Sequence, residues 1–282
     1  MARAWQMRLL VTGGAGFIGS NFVRKTIETR EDVVVTVLDA LTYAGSLANL
    51  ETVMNRVDFI RGDIMNAKLV EELVSQTDIV VHFAAESHND NSLVSPRDFI
   101  ETNVVGTFNL IKACAENDVR LHHVSTDEIF GDMDLASRDL FTENTPYAPS
   151  SPYSASKAAS DHLVRAWIRS FGLRATISNC SNNYGHNQHA EKLIPRTVLL
   201  AASGTKPKVY GSGDNVRDWI HVEDHVDGIW TVIEKGRIGE TYLIGANGER
   251  SNLQVVKTIL RILELPENFI EFVDDRPGHD RR

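Results

Sequence analysis

A chain of 282 residues with 42% hydrophobic and 24% charged side chains is long enough for one large core and a smaller appended lobe. Its formal net charge of -9 argues against nucleic acid as a partner, while leaving room for a local cationic pocket around a phosphate. No apolar run reaches membrane-spanning length, and only a handful of residues precede the first strand-like segment. Neither a membrane anchor nor a signal peptide is therefore expected, and a cytoplasmic location is.

The first strand-like run, RLLVTG (8 to 13), leads into VTGGAGFIGS (11 to 20) and then the helix-like IGSNFVRKTIE. Gly13, Gly16 and Gly19 let the backbone turn tightly and approach a ligand, while the following helix offers free N–H groups and a positive dipole end. That is what a dinucleotide pyrophosphate requires. The second run, VVVTVLD (33 to 39), ends on Asp39, at the spacing of about 20 residues that suits ribose hydroxyls. An acid there repels a 2′-phosphate, so NAD is favoured over NADP. In VDFIRGD (57 to 63) the closing Asp63, with Ile64, is placed to meet the adenine, although a plain surface acid fits equally well.

Further apolar runs follow at DIVVHFAA (78 to 85), LHHVS (121 to 125) and RATISNC (174 to 180), mostly separated by helix-length segments. The alternation predicts an α/β fold, a doubly wound Rossmann-type parallel sheet over residues 1–180. Beyond it the rhythm loosens. NNYGHNQ and YGSGDNVRD are rich in turn residues, and helices are expected near 189 to 203, 222 to 235 and 251 to 263. Residues 181–282 read as a smaller C-terminal α/β substrate-binding lobe, with segments around 217–246 returning to the first domain. Cys114 and Cys180 sit in apolar contexts without metal or redox spacing and read as buried thiols. His221 and His225 lie one helical turn apart, but no third ligand is evident and no metal is expected.

Two short stretches carry the chemistry. HVSTDEIFGD (123 to 132) places Asp127 and Glu128 where a strand leaves the core, at the carboxyl end where α/β sheets bind ligands. A polar loop or helix cap would use the same residues. In SPYSASKAASDHLVRAWIRSF, Tyr153 and Lys157 are i and i+4 on one helix face. Lowering a phenol from its usual pKa of about 10 by about three units takes about 4 kcal/mol, which one ammonium at about 4 Å supplies at an effective dielectric near 20. Tyr153 is then expected to work as a base near neutral pH.

TGGAGFIG with YSASK resembles the extended short-chain dehydrogenase/reductase superfamily. LDALTYAG, FAAESHNDNS, STDEIFGD, SNCSNNYG, EKLIPR, NVRDWIHVEDH and DRPGHD, in order along nearly the whole chain, resemble its nucleotide-sugar 4,6-dehydratases. The resemblance implies NAD-dependent dehydration of dTDP-glucose in deoxysugar, rhamnose-type biosynthesis. It gives Thr126 with Tyr153 and Lys157 the C4 hydroxyl, Asp127 the role of acid at the C6 hydroxyl, and Glu128 that of base at C5. An ordinary Asp is protonated only about one part in a thousand at pH 7, so bound sugar and the Glu128 charge are expected to raise Asp127. Phe17, Ile18, Thr42, Ala84, Ala85 and Ser87 join the cofactor contacts. Glu86, His88, Asn182, Lys192, Lys208, Tyr210, Arg217, Asn252, Arg276 and His279 match substrate-contacting segments. The helices at about 97 to 117 and 151 to 171 match a pair that forms a homodimer through a four-helix bundle.

Two departures from the family pattern stand out. His186 and Asn187 replace a Pro and an aromatic, which is expected to loosen the loop over the sugar. The chain also stops at RPGHDRR where family members continue for several dozen residues, which exposes turnover and stability most. Two rivals remain at this stage: a nucleotide-sugar 4-epimerase or decarboxylase, set apart by Asp127 and Glu128, and a catalytically silent NAD-binding protein.

Overall fold

A computed structural model describes residues 6–282. In chain order the elements are β1 (Met7–Thr12), α1 (Phe17–Thr29), β2 (Val33–Asp39), a 3-10 segment (Leu47–Arg56), β3 (Val57–Arg61), α2 (Ala67–Val74) and β4 (Ile79–His82). Next come the short helices α3 (Asn89–Val94) and α4 (Pro96–Phe99), a π-helical stretch (Ile100–Gly106), α5 (Thr107–Glu116), β5 (Arg120–Thr126), a 3-10 turn (Asp127–Phe130), α6 (Pro152–Phe171) and β6 (Ala175–Cys180). The remainder comprises β7 (Asn182–Tyr184), α7 (Leu193–Ala202), β8 (Lys208–Tyr210), β9 (Val216–Arg217), β10 (Trp219–His221), α8 (Val222–Lys235), β11 (Thr241–Ile244), β12 (Arg250–Ser251), α9 (Asn252–Ile262) and β13 (Glu271–Val273).

Seven strands form one parallel sheet in the order β11-β6-β5-β4-β1-β2-β3. Both faces are covered, which is why the strands read as near-continuous apolar runs rather than alternating ones. On one face Phe22 and Ile27 of α1 and Val226, Ile229 and Trp230 of α8 pack on Leu9, Val11, Val35 and Val37. On the other, Val70, Leu110, Ile111, Cys114 and Val164 pack on Leu10, Leu38, Val80, Leu121 and Ile177. Strand order reverses between β1 and β4, so the connections leaving their paired carboxyl ends run in opposite directions and leave the crevice in which such folds hold ligands. The lobe beyond β6 has its own core, formed by Ala201, Val209, Val256, Leu260 and Ile270.

Four histidines are buried in this framework. His82 bonds Thr12 Oγ1 at 2.7 Å and Thr107 Oγ1 at 3.0 Å, and His122 bonds Thr176 and Ser178 at 3.0 and 3.1 Å. His123 faces Asp161, and His225 bonds Asn183 Oδ1 at 2.9 Å.

The expected helix over 97 to 117 differs in detail. It is interrupted by the π-helical stretch, which brings Asn103 inward. Its side-chain amide donates to the Glu86 carbonyl and to Ser156 Oγ, both at 2.9 Å, and accepts from the Glu86 N–H at 2.9 Å.

Candidate active site

One long cavity opens along the carboxyl ends of the sheet strands. It is lined by Gly13, Gly16, Phe17, Ile18 and Gly19 at one wall, by Asp39, Thr42, Asp63 and Ile64 at one end, and by Ala84, Ala85, Glu86 and Ser87 in the middle. Thr126, Glu128, Tyr153, Lys157, Asn182 and Lys192 close the other end. Every residue that the sequence suggested for a dinucleotide thus borders the same space.

The glycine wall fits a bound pyrophosphate. Gly13 has a φ of +70°, and a Cβ there would lie 2.6 Å from the Ala84 nitrogen. A Cβ on Gly19 would meet the Gly13 oxygen. The α1 N-cap is Gly16, which has no side chain to cap the first turn, so that turn's N–H groups are left for a ligand. Asp39 accepts from the Ala15 N–H at 2.9 Å and the Leu41 N–H at 2.8 Å, which fixes its carboxylate at the cavity edge.

At the other end, Thr126 ends β5 and its hydroxyl accepts from the Glu128 N–H at 3.3 Å, starting the 3-10 turn. The same hydroxyl donates to Asp127 Oδ1 at 3.4 Å, and Thr126 and Tyr153 both line this end of the cavity. The residues of the cap are therefore the same ones that the sequence put forward for catalysis. Asp127 keeps some surface exposed, but its carboxyl lies deep in the protein; burial first, then the Glu128 charge, push it up to about 7. The direction is the one expected, but the desolvation comes from the protein itself rather than from bound sugar. Glu128 Oε2 accepts from Asn89 Nδ2 at 2.8 Å.

The expected tuning of Tyr153 by Lys157 differs in the structure. Burial and the Glu128 charge push the phenol above its ordinary range, while the Lys157 ammonium donates to the Val124 carbonyl at 2.9 Å. Burial also draws Lys157 down, because a low-dielectric site disfavours its charge.

The remaining sequence candidates divide. Tyr210 donates to Asp90 Oδ2 at 3.3 Å, Arg276 pairs with Asp90 Oδ1 at 3.5 Å, and His279 pairs with Asp275 at 2.7 Å. This cluster adjoins His88 and Lys192, whose ammonium donates to the Ser87 carbonyl at 3.0 Å. Arg217 donates to the Asp280 carbonyl at 2.8 Å and lies within electrostatic reach of Asp127. Lys208 is exposed on β8, and Asn252 opens α9 with its backbone N–H on the Asn215 carbonyl at 2.9 Å; neither borders the cavity, and nor do His88, Asp127, Tyr210, Arg217, Arg276 or His279. The sequence reading missed Asn89, Asp90 and Asn103. Asn89 and Asp90 lay inside the FAAESHNDNS stretch, whereas nothing in the local pattern marked Asn103.

The loop carrying His186 and Asn187 is tied down rather than loosened. Asn21 Nδ2 donates to the His186 carbonyl at 2.8 Å, and Asn187 Nδ2 reaches Ser20 Oγ at 3.3 Å and the Asn49 carbonyl at 3.4 Å. Asn187 has a φ of 68°, a left-handed conformation that Asn tolerates better than most residues.

A doubly wound sheet whose glycine-walled crevice runs down to a Tyr–Lys helix defines an extended short-chain dehydrogenase/reductase. A family model described as GDP-mannose 4,6 dehydratase matches residues 10–281. The dTDP-glucose 4,6-dehydratase of Mycobacterium tuberculosis is 56% identical over 276 residues, covering 98% of this chain and 83% of that protein. The dTDP-glucose 4,6-dehydratase DesIV of Streptomyces venezuelae, solved with NAD bound, superposes with a TM-score of 0.93 at 46% identity, covering 98% of this chain and 87% of that one. A UDP-glucose 4-epimerase of Thermus thermophilus, in complex with NAD, reaches a TM-score of 0.87 at 28% identity, covering 98% and 89%. The chain belongs to the dTDP-glucose 4,6-dehydratase family and is a hydro-lyase.

Proposed function

We propose that this chain converts dTDP-glucose to dTDP-4-keto-6-deoxyglucose, using NAD held along the glycine wall. The observation that carries the reading is the acid pair: the Asp127 carboxyl, raised to about 7 and hydrogen-bonded to Thr126, lies next to Glu128, and Thr126, Glu128 and Tyr153 line one end of the cavity. A fold shared at a TM-score of 0.87 with an epimerase does not choose between reactions; the acid pair does.

NAD, when bound, supplies the acceptor for the C4 hydride and the donor that returns it to C6, so the net change is loss of water. Tyr153, with Thr126 beside it, holds the C4 hydroxyl and takes its proton once the positive charge of bound NAD has drawn the phenol down against burial and the Glu128 charge. The 4-ketone makes the C5 hydrogen acidic. Glu128, oriented by Asn89, removes that proton, and Asp127 delivers its own to the departing C6 hydroxyl. Such a division needs two carboxyls whose environments differ, which burial of Asp127 provides. On the substrate side, Lys192 and the Asp90–Tyr210–Arg276 cluster supply charge and hydrogen bonds for a nucleoside diphosphate.

The product fits deoxysugar biosynthesis of the rhamnose type, and enzyme, cofactor and nucleotide sugar would meet in the cytoplasm. The chain works as a homodimer through α5 and α6. Ile100, Val105, Phe108 and Phe171 leave an exposed apolar face there, with Phe108 set edge-on to Trp167 at 5.7 Å.

The test is incubation with dTDP-glucose in deuterated water, followed by mass spectrometry of the nucleotide sugar. Loss of one water with one deuterium gained supports elimination with reprotonation at C5. An unchanged mass overturns it, and a C4 epimer in that sample would identify an epimerase instead.

A further inference from the structure

We infer that Asp161, which no step above uses, is a positioning residue: one buried carboxylate that ties the helix carrying Tyr153 and Lys157 to the strand end carrying Thr126, Asp127 and Glu128. The inference rests on the roles given to those residues above.

Asp161 lies fully buried on α6, one turn beyond Lys157. Its Oδ2 accepts from Asn179 Nδ2 at 3.0 Å and from the Tyr147 hydroxyl at 3.1 Å, and its Oδ1 faces His123 Nε2 at 3.2 Å. The Asn179 amide nitrogen also donates to the Thr126 carbonyl at 3.3 Å, so a single side chain on β6 relays the carboxylate to the backbone of the catalytic turn. Lys157 bonds the carbonyl of Val124, the neighbour of His123. Helix α6 is therefore fastened to β5 at 124 directly and at 126 through β6, with His123 in close approach to the carboxylate.

The surroundings give the carboxylate an electrostatic task as well. The titratable and charged groups around it are His123 from β5, Lys157 and Arg165 from α6, Cys180 from β6 and Tyr147 from the preceding loop. Behind them His82 of β4 lies 5.3 Å from the His123 ring. Burial and the Lys157 charge hold His123 below its ordinary range, so the imidazole is neutral and adds no cation. Burial works against the Asp161 charge, but His123, Lys157 and Asn179 outweigh it and keep the acid below its ordinary range. In return Asp161 is the first of the groups that hold Lys157 up against its own burial. A buried ammonium left without that partner loses its proton at a lower pH.

The experiment compares wild-type, Asp161→Asn and Tyr147→Phe enzymes, each loaded with NAD, by kcat and KM for dTDP-glucose across the pH range. Asp161 touches no substrate, so in Asp161→Asn the expected loss falls on kcat, on the order of tenfold or more, with KM little changed. The sign follows from Lys157: without the negative charge its proton leaves earlier, so the alkaline limb of the oxidation step, read as NADH formation in a single turnover and separate from the Asp127 titration near 7, moves down by about one pH unit. Tyr147→Phe keeps the carboxylate and leaves that limb in place. Wild-type kcat in Asp161→Asn, or a loss equal at every pH, overturns the inference. Should Asp161→Asn not fold, Asn179→Ser removes the relay to Thr126 while keeping the charge. It is expected to lower kcat with the limb unmoved, and a wild-type kcat there overturns the inference equally. A wild-type chain that does not turn over dTDP-glucose would instead overturn the roles assigned above, and this inference with them.

Discussion

Asn89 is held in one orientation between Ser151 and Glu128: its Oδ1 accepts from the Ser151 hydroxyl at 2.8 Å, and its Nδ2 donates to Glu128 Oε2 at 2.8 Å. Ser151 is also the N-cap of α6, so the start of the helix that carries Tyr153 sets the direction of the Glu128 carboxylate, the proposed base. Replacing Asn89 by Leu should slow removal of the C5 proton by about tenfold while sparing the first oxidation. Enzyme-bound NADH absorbance would then build up during a single turnover. No accumulation, together with a wild-type rate, would refute the assignment.

Asp127, at about 7, is protonated in a useful fraction near neutrality and loses its proton as pH rises through that value. Turnover limited by elimination should therefore decline above about pH 7, and Asp127→Asn should lose on the order of a hundredfold in elimination. The same shift has a stability sign. The folded state holds this proton between about pH 4 and 7 while the unfolded chain has released it, so the folded state becomes relatively less stable across that window. Asp127→Asn should resemble wild type near pH 4 and exceed it at pH 8, by up to about 4 kcal/mol. Urea unfolding at the two pH values decides this; equal stability at pH 8 would be incompatible with a buried ionised Asp127.

Asn187 predicts cofactor retention. Its amide bonds to Ser20 and Asn49 and its left-handed backbone pin the 185 to 192 loop beside α1. Alanine loses the bonds and adds backbone strain, so Asn187→Ala should release NAD about tenfold faster. Chasing labelled NAD with unlabelled NAD measures the rate, and an unchanged rate would remove the loop from any part in retention.

For the apolar face of α5 and α6, placing a charge at Phe108 should abolish association. Sedimentation at micromolar concentration should give a dimer for the wild type and a monomer for Phe108→Glu. A monomeric wild type would count against the interface.

How far the sequence sufficed varies with the kind of signal. VVVTVLD is β2 residue for residue, and the 222 to 235 helix is α8, because uninterrupted apolar runs and amphipathic spacing are local properties. The π-helical stretch escaped, since one widened turn barely alters hydrophobic spacing; with it went Asn103 and its hold on the Glu86 backbone. Tyr153 and Lys157 could be placed on one face by their spacing. Which partner a buried ammonium chooses depends on the strand beneath it, here the Val124 carbonyl. Motif order suggested Lys208 and Asn252, but order along a chain carries no information on whether a side chain borders a distant cavity.

The four buried histidines give the framework an acid threshold. His122 and His225 are drawn down to about 3, and His82 and His123 fall in the same direction, burial being the leading cause for each. Unfolding below pH 6.5 lets each ring take up a proton that the native state excludes, which costs stability at about 1.4 kcal/mol per pH unit per ring. Asp127, Glu86 and Asp280, whose carboxyls are raised, oppose this in part, while His88 and His279, lowered as well, add to it. The melting temperature should therefore hold near neutrality and drop steeply as the solution is acidified through pH 6, well before most surface carboxylates titrate. The interior of the sheet, rather than the charged exterior, would then set the lowest pH at which the enzyme survives.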